Sequence, residues 1–198
     1  MTPREKRKEK TRKGMIKAAS TMIQKEGLEN LSLRKVARKI EYSPAGMYEY
    51  FANKEALIEA VHQQGLNLMN ERLTAVPQDL PWKERLVCIG EAYLQFAADE
   101  PEIYHLLFSK LSSRRTSLQN KVRENSPYSH HLKAIIAGID SGEIQLTRFK
   151  SAEEIAFAFW SLFHGMAMLK MTHLKAFEAD FERVYQVSTE ALIQGILG

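Results

Sequence analysis

Apolar residues recur at helical spacing along most of the chain and nowhere alternate at period two over a sustained run, so the pattern predicts an all-helical fold. Ile16, Ala19 and Ile23 form a first stripe at i, i+3, i+7, and Gly27 stops that helix. Leu33, Val36, Ala37 and Ile40 form a second, with Ser32 placed to cap it and Arg34, Lys35, Arg38 and Lys39 outside the stripe. After a turn at Glu41-Tyr42, Ser43 is a good N-cap. Pro44 is suited to the first helical position, where its missing N–H costs nothing. Met47 and Phe51 are the expected core contacts of this third helix, and Asn53 is placed to cap a fourth. Helices two and three are so close in sequence that they must cross steeply.

Beyond a linker region containing Pro77 and Pro81, further stripes follow: Leu86, Ile89, Tyr93 and Phe96; then Tyr104, Leu107, Phe108 and Leu111 behind Pro101; then Leu132, Ile135, Ile136 and Ile139. Residues 112–131, rich in Ser, Arg, Asn and His, read as a polar helix with loop rather than as core. In 153–172, Ile155, Phe159, Leu162, Met166 and Leu169 make one stripe, and Phe157, Trp160, His164, Met168 and Met171 a second. A helix apolar on two sides must be covered twice, which points to a partner subunit. The last helix adds Phe177, Phe181 and Val184, then the small residues Ser188, Ala191 and Gly195, which allow close helix approach. Two such helices per chain predict a four-helix homodimer interface about a two-fold axis. Its expected members are Phe159, Phe163, Met166, Phe181, Ser188, Ala191 and Gly195.

Charge changes the picture. The net charge of +4 is divided unevenly: residues 1–60 hold 14 Lys+Arg against 8 Asp+Glu, and residues 61–198 hold 14 against 16. The basic excess sits where a polyanion can use it, above all in residues 3–13, with seven cations and two acids. A single cysteine, Cys88, excludes an internal disulfide and fits a reducing compartment, with the cytoplasm as the expected location. Val87 and Ile89 beside it suggest an inert thiol. No apolar run opens the chain as a signal peptide would. The longest uncharged apolar stretch, 155–169, is 15 residues, short of a comfortable bilayer span, so no membrane partner is expected. His62, His105, His130, His131 and His173 make no spaced set with acids or Cys. They read as surface residues, with no metal or cofactor expected.

The third helix carries the most specific chemistry. Pro44, Ala45 and Gly46 have almost no side-chain bulk, so its tip can press against base-pair edges. Tyr48 and Tyr50 can hydrogen-bond phosphates, and Tyr48 can also pack on a thymine methyl. Lys54 and the free amides of the fourth helix suit a phosphate. This is the layout of a helix-turn-helix reader of double-stranded DNA.

Ile16, Ala18, Ala19, Gly27, Leu33, Val36, Ala37, Ser43, Tyr48, Tyr50, Phe51, Lys54, Glu55 and Leu57 together resemble the N-terminal signature of the tetracycline-repressor (TetR) family of bacterial transcription regulators, over roughly residues 12 to 60. The resemblance implies an all-helical homodimer whose N-terminal domains occupy successive major grooves of a pseudo-palindromic operator. It implies phosphate contacts at Arg34, Ser43, Tyr48, Tyr50 and Lys54, and base-edge contacts at Pro44, Ala45 and Gly46, shared by Tyr48. Two positions depart from the family pattern. Glu41 stands where a glycine in a left-handed turn is usual, and Glu49 puts a carboxylate close to phosphates. Trp160, His164 and Gly165 also resemble a subgroup of the family's C-terminal domains marked by a Trp-His-Gly pattern.

The expected organisation is a DNA-binding domain at 1–55 and a ligand-binding and dimerisation domain at 56–198. The family's C-terminal domains bind a small molecule. Candidate contacts here are Tyr93, Phe96, Tyr104, Phe108, Trp160 and Met168, with His164 as a polar handle, for a mostly hydrophobic effector. The function expected is that of a ligand-responsive transcription regulator, most often a repressor in such a family. A ligand-independent DNA-binding protein is the alternative. An enzyme using His164 as general base is disfavoured, because no nucleophile, paired carboxylates or phosphate-cradling glycine loop accompanies it.

Overall fold

Capping and apolar spacing resolve the chain into nine α-helices among the residues that the computed structural model describes, 1–108, 126–174, 178 and 180–197. They are α1 (Pro3–Glu26), α2 (Leu33–Lys39), α3 (Pro44–Met47), α4 (Lys54–Thr74), α5 (Trp82–Asp99), α6 (Pro101–Phe108), α7 (Pro127–Asp140), α8 (Ala152–Met171) and α9 (Phe181–Leu197). The expected contributions of Leu111 and Phe177, and of 112–125, lie outside the described residues. None of the described helices is long and apolar enough to cross a membrane.

The helices gather into two compact units. The first holds Met1–Asn67 together with the segment that begins at Glu100 and includes α6. In it α1 packs on α2 and α6, and α2 on α3. Its core is built from Met15, Ala19 and Ile23 of α1, Val36 and Ala37 of α2, then Met47, Phe51, Leu57 and Val61. Gly27 ends α1 at φ 82, a backbone conformation an L side chain strains to adopt, and its N–H closes the helix on the Ile23 carbonyl at 2.9 Å.

The second unit comprises Leu68–Asp99 and the chain from α7 onward. Here α5, α7 and α8 pack pairwise, and α9 lies on α8 and α5. Leu86, Ile89, Tyr93 and Phe96 of α5, Leu132 and Ile135 of α7, and Ile155, Phe159 and Phe163 of α8 fill the space between them. At Gly90 the helices come so close that an added Cβ would sit 2.6 Å from both the Phe163 ring and the Tyr185 hydroxyl. Arg85, almost fully buried, donates to the Gln78 carbonyl at 3.0 Å and the Lys133 carbonyl at 2.9 Å, tying α5 to the preceding loop and to α7.

Three expectations change here. Compact packing does not divide the chain at residue 55: α4 contributes to the first unit as far as Asn67, and α6 joins the same unit. Phe159 and Phe163, expected on a dimer face, are fully buried inside their own subunit, because the buried side of α8 runs Ile155, Phe159, Phe163, Ala167 at four-residue steps. His130 and His131, expected at the surface, are core residues of α7. His131 is 0% exposed, and the His130 ring meets Asn70 Oδ1 at 2.7 Å.

Candidate nucleic-acid interface

Each helix of the reader starts on a side-chain cap that the sequence supplies. Ser32 Oγ accepts from the Lys35 amide at 3.2 Å, Ser43 Oγ from the Gly46 amide at 2.9 Å and Asn53 Oδ1 from the Ala56 amide at 2.8 Å. Between α2 and α3 the chain turns on Glu41 at φ 55, so the left-handed position where the family pattern has glycine is filled by a glutamate that adopts the strained conformation. Helix α3 is a single turn. After Met47 the chain tightens through Tyr48, Glu49 and Tyr50, whose amides bond three residues back, and Phe51 closes on the Met47 carbonyl at 3.0 Å.

Burial sorts this segment into an anchored side and a presented side. Met47 and Phe51 are buried, whereas Ser43, Pro44, Ala45, Tyr48 and Glu49 are exposed, Tyr48 at 57%. Arg34 is exposed on α2 and has no ion-pair partner among the described residues. Lys54 is half-buried, its Nζ 3.4 Å from the Glu29 carbonyl oxygen, which holds the ammonium beside the loop between α1 and α2. The first unit therefore brings Arg34, Ser43, Pro44, Ala45, Gly46, Tyr48, Tyr50 and Lys54 into one capped module.

Tyr42 was not singled out in the sequence, yet it organises this surface. Its ring packs edge-on to Tyr50, centroids 6.1 Å apart, and the neighbouring Tyr50 hydroxyl, with some burial, raises its phenol above the usual range. A Cβ at position 46 would fall 2.5 Å from the Tyr42 ring and 3.0 Å from the Ser43 cap. Gly46 is therefore small partly to seat Tyr42, a reason a linear reading cannot supply. Upstream, Lys8 lies over the Tyr50 ring at 5.8 Å and Arg12 over Phe51 at 5.3 Å, so α1 sends cations onto the same aromatics.

The expected ligand residues divide between the two units. Tyr104 and Phe108 pair in the first, ring centroids 4.8 Å apart. In the second, the Tyr93 hydroxyl accepts from Trp160 Nε1 at 3.2 Å and lies 3.2 Å from His164 Nδ1. Phe96 is fully buried and Met168 half-buried. Tyr128 and His131, missed in the sequence, join this cluster: Tyr128 packs edge-on to Trp160, and His131 lies 6.2 Å from Tyr93 and 5.5 Å from Phe163. His131 Nδ1 is 3.3 Å from the Pro127 carbonyl, which can only accept, so the proton sits on Nδ1 and Nε2 is left as a buried acceptor with no partner. Burial pushes its pKa down to about 4 and lowers that of His164 as well. Cys88 is partly buried; burial and the nearby Glu91 and Glu84 raise its thiol pKa, away from thiolate reactivity.

Residues 15–61 match the family model for bacterial regulatory proteins of the tetR family, and residues 86–192 match the model for the tetracyclin repressor-like C-terminal domain. The chain is 24% identical over 191 residues to YvkB, an uncharacterized transcriptional regulator of helix-turn-helix type from Bacillus subtilis strain 168, covering 94% of this chain and 97% of that protein. It is 21% identical over 108 residues to YobS of the same organism, described in the same way, covering 54% of this chain and 56% of that one, so it spans about half the length of this relative. A solved structure of a protein of unknown function from Rhodococcus sp. RHA1 has the same fold, with TM-score 0.81 and 21% identity over 94% of this chain and 95% of that one.

Proposed function

Because the chain belongs to the TetR family of non-enzymatic, DNA-binding transcription regulators, we propose that it is a homodimeric repressor whose grip on an operator is loosened by a small, mostly apolar molecule. The single observation that supports DNA reading best is the split character of the segment 43–51: a buried pair, Met47 and Phe51, anchors it, while a low-bulk tip and an exposed tyrosine face outward. Arg34, Ser43, Tyr50 and Lys54 hold phosphates; Pro44, Ala45, Gly46 and Tyr48 meet base edges.

Dimerisation rests on the outer sides of α8 and α9. Leu169 is 49% exposed, Val184 49% and Val187 56%, with half-exposed Leu162, Met166 and Leu192 beside exposed Ala191. A Cβ at Gly165 or Gly195 would meet nothing, so this face is open for another helix to approach closely. Half-buried Phe181 and Ser188 lie on the same helix, α9. A second copy, related by a two-fold axis, covers this apolar surface and spaces two α3 tips for half-sites about 34 Å apart.

Effector binding rests on the Tyr93, Trp160, His164 and His131 cluster, an aromatic setting with few polar groups. His131 Nε2 is matched to a hydroxyl or N–H donor. The effector acts through differential affinity, favouring dimers whose α3 tips are misplaced for successive grooves. The test is to select duplexes from a random pool with the purified protein, then titrate the selected duplex with and without small molecules that raise the melting temperature. Selection of a palindromic site released by such a molecule is the expected result. Failure to enrich any sequence removes the reader, and unchanged duplex affinity with every stabilising compound leaves the ligand-independent alternative.

A further inference from the structure

The first half of α1 contributes no buried side chain. Residues 3–14 are exposed or half-exposed, and the buried residues of α1 begin at Met15, so roughly 18 Å of helix runs ahead of the core. Such a segment is marginal in water without tertiary contacts. Its start is nevertheless fixed by Pro3 in the first turn and by a capping box: Thr2 Oγ1 accepts from the Glu5 amide at 3.2 Å, and the Glu5 carboxylate accepts from the Thr2 amide at 2.7 Å.

Its charges oppose its own stability. Seven cations, Arg4, Lys6, Arg7, Lys8, Lys10, Arg12 and Lys13, stand against Glu5 and Glu9 within residues 3–13, giving a net +5. Several lie next to the positive end of the helix dipole, and Lys6 and Lys10 repel at i, i+4. No ion pair among the described residues involves any of the seven. A helix end with a fixed start and an unfavourable charge pattern, touching the rest of the unit through Lys8 over Tyr50 and Arg12 over Phe51, is of the kind that a polyanion would stabilise.

Orientation follows from the two cation–aromatic contacts. Arg4, Lys8 and Arg12 succeed each other at four-residue steps on one side, and Lys8 and Arg12 on that side lie over Tyr50 and Phe51. Lys6, Lys10, Lys13 and Lys17 form a separate stripe on the opposite side. We propose that the leading turns of α1 form a second phosphate-binding surface, in which Arg4 and Lys8 continue the Tyr50 side of the reader onto the DNA backbone flanking each half-site. This rests on the DNA-binding reading above and adds contacts that carry register and affinity without base specificity.

The experiment measures the salt dependence of binding to two probes, a mixed-sequence duplex and the pool-selected duplex, for the full chain and two double variants. Arg4→Ala with Lys8→Ala is expected to reduce the magnitude of the log–log salt slope by about two units on both probes, since each phosphate contact contributes ~0.9. Lys10→Ala with Lys13→Ala, on the opposite stripe, is expected to leave it within about half a unit. Far-UV circular dichroism of the first variant should show undiminished helix, because removing like charges relieves the segment. An unchanged slope for the first variant, or an equal fall for both, overturns the proposal. Wild-type protein that binds neither probe overturns the DNA-binding reading itself, and the two failures are thereby told apart.

Discussion

The two compact units solve the same folding problem with different interiors. Among the described residues, the buried polar or charged residues Arg85, Ser129, His130, His131 and Thr189 all belong to the second unit, whereas in the first the fully buried side chains are apolar or, at Tyr104, phenolic, and half-buried His62 has its Nδ1 enclosed. The first unit keeps its polar chemistry on the outside, where Ser43, Tyr48 and Arg34 are exposed. With fewer polar groups inside, the first unit has less to titrate or to solvate than the second. The second holds His131 wholly buried with an Nε2 that has no partner, so its interior is the more exposed to the effects of protons and polar solutes.

The sharpest way to break this contrast is Ala45→Glu. A carboxylate on the exposed tip faces phosphates, and like-charge juxtapositions cost several kcal/mol, so duplex affinity should fall by ~100-fold or more while the melting temperature stays constant. Retained affinity would mean that α3 does not enter a groove. Ala191→Arg comes next: a guanidinium on the exposed face of α9 should convert dimers to monomers in light scattering, with each subunit still folded. A persistent dimer would move the interface elsewhere.

Acid should affect the second unit more than the first. The native state holds His131 neutral to about pH 4, whereas the unfolded chain protonates near its ordinary 6.5, so the unfolded state binds more protons in between. Stability is therefore complete above pH 6.5 and falls towards pH 4, by on the order of 3 kcal/mol from this group. The lowered pKa values of His130 and His164 add in the same direction. His131→Phe should flatten denaturation free energy against pH in that window, and identical profiles for variant and wild type would remove His131 as the cause.

Two smaller effects sharpen the picture of the reader. Glu41→Gly should raise its stability by about 1 kcal/mol, because glycine adopts φ 55 without the side-chain clash, less its greater entropy when unfolded. Urea denaturation would detect it, and a loss instead would show that the glutamate side chain compensates its strained backbone. Lys54→Ala should lower the salt slope by about one unit with little change in sequence preference. An unaltered slope would leave Lys54 only its bond to the Glu29 carbonyl.

How much of this was legible in the sequence follows the same division. Caps are local: Ser32, Ser43 and Asn53 each act on an amide three residues on, so composition and spacing placed them correctly. The strained turn at Glu41 was legible only through the family resemblance, in which glycine is usual at that position. Burial of His130 and His131 was not, because a histidine's solvation depends on what the fold brings over it, here Asn70 from sixty residues away and the rings of Tyr93 and Phe163. The buried side of α8 escapes a linear reading for a related reason. Its stripe leaves the expected 3–4 alternation after Phe159 and continues at four-residue steps to Phe163 and Ala167, and an apolar helix offers no polar side to reveal the difference. Gly46 had two reasons to be small, and only the Tyr42 ring packed against it discloses the second.

The near-contact at Gly90 fixes how closely three helices of the second unit are held together. With Phe163 and Tyr185 both pressed to the α5 backbone, and the Tyr185 hydroxyl bonded to the Val87 carbonyl at 2.6 Å, α5 has no slack to slide along α8 or α9. Any side chain larger than hydrogen at position 90 would have to push the Phe163 ring or the Tyr185 hydroxyl off the α5 backbone.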